Sequence, residues 1–266
     1  MLAPSSYFYL PAMRKSPHTL PWLDANDAFP LVDTAWGESD PAPGLLAAGR
    51  TLNVPTLLQA YALGIFPWFG VGQPVLWWSP DPRMVLRTKD FRLHRSLRKT
   101  IGHFREAPGH DIRFDTAFAQ VIGACANTPR AGQAGTWIVP DMVQAYIALH
   151  GAGHAHSVET WIDGELAGGL YCVNIGGMVF GESMFAHRTD ASKLALAALV
   201  AFCRAQGLTM IDCQQNTRHL ASLGAAEIPR AQFVAQVASS ATQTPPSWEF
   251  EPLYWNQLLT PEFRTT

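Results

Sequence analysis

The chain has 266 residues, 48% of them hydrophobic and 15% charged, with a formal net charge of −2. That is enough apolar material for one large core or two smaller ones. The small net charge excludes a protein that coats nucleic acid indiscriminately, while leaving room for a local basic face. Cys125, Cys172, Cys203 and Cys213 lie far apart with no CxxC pair and read as reduced core thiols. No apolar run approaches the roughly 20 residues of a membrane span. Near the N-terminus the pair Arg14 and Lys15 follows the apolar residues, the wrong order for a secretory signal. A cytoplasmic chain with no membrane partner is expected.

In chain order, residues 1 to about 43 are proline-punctuated and predict an irregular wrap. Asn53 then stands as an N-cap with Pro55 in the first turn, and Leu57, Leu58, Tyr61 and Leu63 predict a helix that Gly64 ends. The following loop holds Phe66, Trp68, Phe69, Trp77 and Trp78. Most of these rings suit a small core, but Trp68, between Pro67 and a glycine loop, is placed to stack on a base.

A short strand around Met84 opens a basic segment: Arg83, Arg87, Lys89, Arg92, Arg95, Arg98, Lys99 and Arg105. On a helix starting near His94, Arg95, Arg98 and Lys99 share a face. Alone, such a face is simply solvated; it becomes a phosphate-contacting surface if other residues call for a nucleic acid. A strand and helix follow over Asp111 to Asn127, then Trp137 just ahead of a helix opened by Pro140 and Asp141.

From His154 the pattern turns to strands, with hairpin signals at Asp163-Gly164 and Gly176-Gly177. A helix after Asp190 separates the run MVFGESMF from LTMIDCQ, which implies a right-handed crossover between parallel strands. Three antiparallel strands, a crossover helix and a further parallel strand are the core of an acetyltransferase-like (GNAT-type) α+β fold with a mixed sheet. A small N-terminal domain over 1–81 and a GNAT-like domain over 82–266 are expected. Two short helices and a polar, proline-bearing tail close the chain.

Glu182, Asp212 and Gln214 sit inside otherwise apolar strands, where polar groups are costly unless paired or used. By simple alternation Asp212 and Gln214 share a face. Leu170, Met184, Leu196, Leu199 and Ile211, from the strands and helix around them, are candidates for a side-chain pocket. A metal site from His150, His154, His156 and Glu159 is a rival reading, against the commoner role of histidine in cores; no metal is expected.

The motifs GIFPWF, LWWSPDPRMVL, TWI, GHAHSVE, GGLY, GESMF, DASK, IDCQ, HLASLGA and EIPR occur in the order and spacing of leucyl/phenylalanyl-tRNA–protein transferases, and the chain resembles that family over residues 44 to 237. The resemblance implies an enzyme that moves Leu, Phe or Met from aminoacyl-tRNA to an acceptor protein with N-terminal Arg or Lys, marking it for degradation. It also implies a reaction centre at Glu182, Asp212 and Gln214, adenosine held by Trp68 and Trp137, and an acyl pocket on the GNAT-like domain, with no cofactor. A monomer is expected. With tRNA as substrate, Arg83, Arg87, Lys89, Arg92, Arg95, Arg98 and Lys99 become candidates for phosphate contact.

Within this reading, the carbonyl oxygen of Gln214 orients the attacking amine, Asp212 fixes the amide, and Glu182 holds the free amino group of the aminoacyl end or orients the acceptor. An acyl-CoA-dependent N-acyltransferase would instead show a glycine-rich pyrophosphate loop before the crossover helix, which AHRTDASK lacks. A non-catalytic tRNA-binding protein would leave the three polar residues unexplained. The chain departs from the family pattern at Arg50, Thr51 and Cys172 and in its extended N-terminus.

Overall fold

Two sheets organise the chain. The computed structural model describes residues 19–128 and 138–260, so Trp137 lies outside the described residues. Strands β1 (Trp22–Leu23), β2 (Leu45–Gly49), β3 (Phe66–Pro67) and β4 (Leu76–Trp78) form a small sheet in the order β1-β2-β4-β3. Helix α1 (Val54–Ala62) lies between β2 and β3, its first turn capped by the Asn53 side chain accepting from the Thr56 amide. Gly64 turns the chain out of it at φ +73°, and a Cβ there would meet the Phe233 ring at 3.0 Å, so two constraints select glycine.

The larger sheet takes β5 (Arg83–Arg87), β6 (His110–Phe114), β7 (Ala155–Ile162), β8 (Glu165–Ile175), β9 (Met178–Ala186), β10 (Met210–Gln214) and β11 (Ala226–Ile228) in the order β11-β5-β10-β9-β8-β7-β6. Every pairing is antiparallel except β9 with β10. Among the helices α2 (Arg95–Glu106), α3 (Phe118–Asn127), α4 (Pro140–Gly151), α5 (Ala191–Ala205), α6 (Arg218–Ser222), α7 (Arg230–Ser240) and α8 (Asn256–Leu259), α5 makes the crossover that this parallel pair requires. The result is the expected acetyltransferase-like α+β fold. Strand β11 is an addition: three residues between a turn and a proline carry too little pattern to read.

Apolar clusters fill both faces of the large sheet. One gathers α2, α5, α8 and the C-terminal segment; the other gathers α1, α3, α4, α7 and the small sheet. Gly168 lets α5 settle onto β8, since a Cβ would stand 2.6 Å from that of Ala191. The C-terminal tail packs onto this face through aromatic rings, Trp248 lying 4.9 Å from Phe202 and Phe250 5.4 Å from Phe114. Among the described residues no helix is long and apolar enough to cross a membrane.

Candidate active site

Neighbouring strands change phase at the same level of the large sheet. On β9, Gly181 faces Cys172 and Ser183 faces Tyr171, so Glu182 is an extra, bulged residue. On β10, Asp212 faces Val85 and Gln214 faces Met84, so Cys213 is extra. The last rung of the β9–β10 ladder is Asp212 with Phe180, immediately before both bulges. One extra residue re-aims everything after it. Val179 and Met184 therefore pack toward α5 while Phe180 and Phe185 pack on the other face. Gln214 takes a left-handed φ of 60°. The simple alternation expected for Asp212 and Gln214 is thus broken between them.

Beyond the last rung, side chains replace the ladder. The Gln214 Nε2 donates to Glu182 Oε1 at 3.0 Å, and the Tyr61 hydroxyl donates to the same oxygen at 2.7 Å. The Tyr61 and Tyr146 hydroxyls lie 2.5 Å apart, and the Tyr146 hydroxyl also donates to Glu182 Oε2 at 3.4 Å. Burial, with the adjacent Glu182 charge, pushes both phenols well above their ordinary range and keeps them as donors. Burial also raises the Glu182 carboxyl to about 7, opposed by the Tyr61 and Gln214 hydrogen bonds. Tyr61→Phe deletes one opposing bond, so the limb of the pH–rate profile that reports Glu182 should move to higher pH.

Tyr61 and Tyr146 escape sequence reasoning because each sits at a helix position that buries its ring. The signal was weak: a buried tyrosine asks for a hydroxyl partner, but these hydroxyls meet from residues 85 apart in the chain.

Asp212 is fully buried and engaged by Arg83, whose Nε donates to Oδ1 at 2.8 Å and Nη2 to Oδ2 at 2.6 Å. The Arg83 Nη1 reaches the Gly64 carbonyl at 3.3 Å, and its guanidinium lies 4.7 Å from the Phe66 ring centre and 4.5 Å from that of Phe233. Two expectations are thereby corrected. Arg83 has no exposed surface and cannot meet a phosphate. Asp212 does not hold the Gln214 amide; it accepts from the Gln214 backbone N–H at 2.9 Å, and Glu182 holds the amide. Sequence proximity groups Arg83 with exposed cations, although its partner is 129 residues away.

The remaining candidates divide by position. Lys89, Arg92, Arg95, Arg98 and Lys99 are exposed and Arg87 is half-buried. Lys89 and Arg98 lie at the α5 C-terminus, away from the Glu182–Gln214 pair: Arg204 donates to the Lys89 carbonyl, and Arg98 to those of Leu258 and Leu259. Trp68 is half-buried, edge-on to Trp78 at 5.3 Å. Leu170, Leu196, Leu199 and Ile211 are buried in one cluster beneath α5, with Met184 partly buried against it. The histidine candidates have other partners: His150 Nδ1 is 2.8 Å from the Ala155 carbonyl, and His156 Nδ1 is 2.7 Å from Asp115. Glu159 accepts from the Thr116 hydroxyl, the Ala117 amide, Ser157 and Trp161.

Solved structures of L-PGS from Bacillus licheniformis (TM-score 0.34, 11% identity, 66% of this chain and 57% of that one) and a GCN5-related N-acetyltransferase from Kribbella flavida (TM-score 0.29, 14% identity, 62% and 56%) are too remote to add to the topology. Sequence relatives are much nearer. A leucyl/phenylalanyl-tRNA–protein transferase from Polaromonas sp. is 68% identical over 94% of this chain and 98% of its own length. One from Albidiferax ferrireducens is 59% identical over 96% and 100%. The leucyl/phenylalanyl-tRNA protein transferase family matches residues 85–238, and its N-terminal domain matches residues 50–81. By that match and these identities, the chain belongs to the leucyl/phenylalanyl-tRNA protein transferase family of aminoacyltransferases.

Proposed function

We propose that this chain transfers Leu, Phe or Met from aminoacyl-tRNA to the N-terminal Arg or Lys of an acceptor protein, marking that protein for degradation. The acceptor's amine attacks the ester carbonyl, a C–N bond forms, the bond to the ribose oxygen breaks, and the proton lost by nitrogen ends on that oxygen. An α-amine titrates near about 7.7 to 8.0, so much of it is already neutral at pH 7 to 8 and needs holding more than deprotonating.

The observation that carries this reading is the Gln214 amide. With its Nε2 on Glu182, its carbonyl oxygen is left as the acceptor for the attacking amine. Glu182, held by Tyr61 and Gln214, receives the free amino group of the aminoacyl end. The acyl side chain enters among Leu170, Leu196, Leu199 and Ile211, with Met184 at the rim; Cys172 in the same cluster narrows the space.

Trp68 stacks the terminal adenosine, and Trp137 supplies a second ring. Trp68→Ala should raise the KM for aminoacyl-tRNA roughly 5- to 150-fold with little change in kcat, since a stacked base is worth about 1–3 kcal/mol. Arg87, Lys89, Arg92, Arg95, Arg98 and Lys99 contact phosphates. Strand β5 carries the chain roughly 13 Å from Arg83 to Arg87, so these cations grip the body of the tRNA rather than its acylated end.

The test is transfer of labelled Leu from Leu-tRNA to a protein beginning with Arg, with Asp212→Ala as the inactive control. Failure of the wild type to label that protein, or equal labelling by the variant, removes the reading.

A further inference from the structure

Under the proposed function a basic acceptor residue brings a positive side chain to the reaction centre, and a subsite for that charge rests on that reading. The carboxylates of the centre are already engaged: Asp212 by Arg83, Glu182 by Tyr61 and Gln214. Asp190 at the start of α5 pairs with Lys193 at 2.7 Å, and Asp81 accepts from the Arg230 amide at 3.0 Å.

By strand register, the next carboxylate outward from Gln214 is Glu227. β10 sets Gln214 opposite Met84 of β5, and β5 sets Met84 opposite Glu227 of β11, so the three stand in one row across three strands. Two strand spacings, roughly 10 Å, separate the ends of that row, a gap that an extended arginine and a glutamate side chain close together. Glu227 is exposed while its neighbour Ile228 is buried. Among the described residues no lysine or arginine pairs with it. Its partner is neutral: the Asn216 Nδ2 donates to Glu227 Oε1 at 3.0 Å. Asn216 stands two residues beyond Gln214, so this bond ties the carboxylate to the segment that carries the amide.

We infer that Glu227, steadied by Asn216, is the subsite that pairs with the guanidinium or ammonium of the acceptor's N-terminal residue while Gln214 holds its α-amine. The carboxylate keeps one oxygen for Asn216 and offers the other. Its effect is specificity: it touches neither the ester nor the aminoacyl side chain.

The experiment compares two acceptor peptides that differ only in their first residue, Arg or its neutral isostere citrulline. Wild-type protein should favour Arg. Glu227→Gln can still accept from Asn216 but has no charge, and should lose roughly 5- to 20-fold in kcat/KM for the Arg peptide, with the citrulline peptide and the KM for Leu-tRNA unchanged. Glu227→Arg should depress the Arg peptide further while sparing citrulline. If Glu227→Gln lowers both peptides equally, the residue merely braces the segment after Gln214 and the subsite is wrong. Equal use of both peptides by the wild type would instead remove the basic acceptor from the proposed function, and this subsite with it.

Discussion

Arg83→Met should abolish transfer and lower stability by about 3–5 kcal/mol, read as a shift in denaturation midpoint. Methionine keeps much of the length and apolar bulk between Phe66 and Phe233, so packing is the smaller loss. The larger loss is that Asp212, fully buried, is left without its partner. Asp212→Leu alone is the mirror case, with a guanidinium stranded between two rings. The double variant Arg83→Met/Asp212→Leu should recover a substantial part of the stability, because replacing both members of a buried pair is far milder than removing one. It should not recover transfer, since the Gln214 backbone N–H has lost the acceptor that holds its left-handed turn. Stability and transfer returning together in the double variant would show that the pair has no organising role at the site.

Glu182→Gln should uncouple stability from activity in the opposite sense. Burial raises the carboxyl from an ordinary 4.5 to about 7. Between those pH values the folded protein retains a proton that the unfolded chain has released, so stability falls as pH rises through the window, by up to about 3 kcal/mol. The full penalty is present above the folded value and absent below the unfolded one. The Gln variant has nothing to titrate there, so its stability should be flat across the window and exceed that of wild type above pH about 7. Its transfer rate should nevertheless drop at least tenfold. Wild-type rates should climb on two limbs, one from Glu182 and one from the acceptor amine near about 7.7 to 8.0; the variant should keep only the second. Denaturation midpoints and single-turnover rates measured side by side check both halves, and a wild type whose stability ignores pH over this range would refute the first.

Glu182, Asp212 and Gln214 were legible as a group because acidic and amide side chains within apolar strands stand out against their neighbours. Their mutual arrangement was not. A bulge adds one residue without any composition of its own, so strict alternation put Asp212 and Gln214 on one face, whereas the extra Cys213 places them on consecutive rungs, opposite Val85 and Met84. Arg83 was misread for a related reason. Charge clustering along the chain is a one-dimensional signal, and on β5 it merges one buried residue with an exposed run. The crossover helix, the two hairpins and the Asn53 cap could be read directly because each depends on residues within one or two turns. Tyr61, Tyr146 and Arg83 act through partners contributed by distant elements, which only the closed sheet brings together.

The paired bulges also say which changes this site can absorb. Up to Gly181, β9 keeps step with β8, and from Ser183 onward it is offset by one residue. The extra residue adds Glu182 without displacing the rungs on either side of it, and Met184 faces α5 and Phe185 the tyrosine side as adjacent residues of a strand do. Residue count in this segment is therefore a property separate from residue identity. Deleting Glu182, the one residue between Gly181 and Ser183, would restore simple alternation with Met184 still toward α5 and Phe185 still on the tyrosine side, so the strand should survive a loss that removes the carboxylate held by Tyr61 and Gln214.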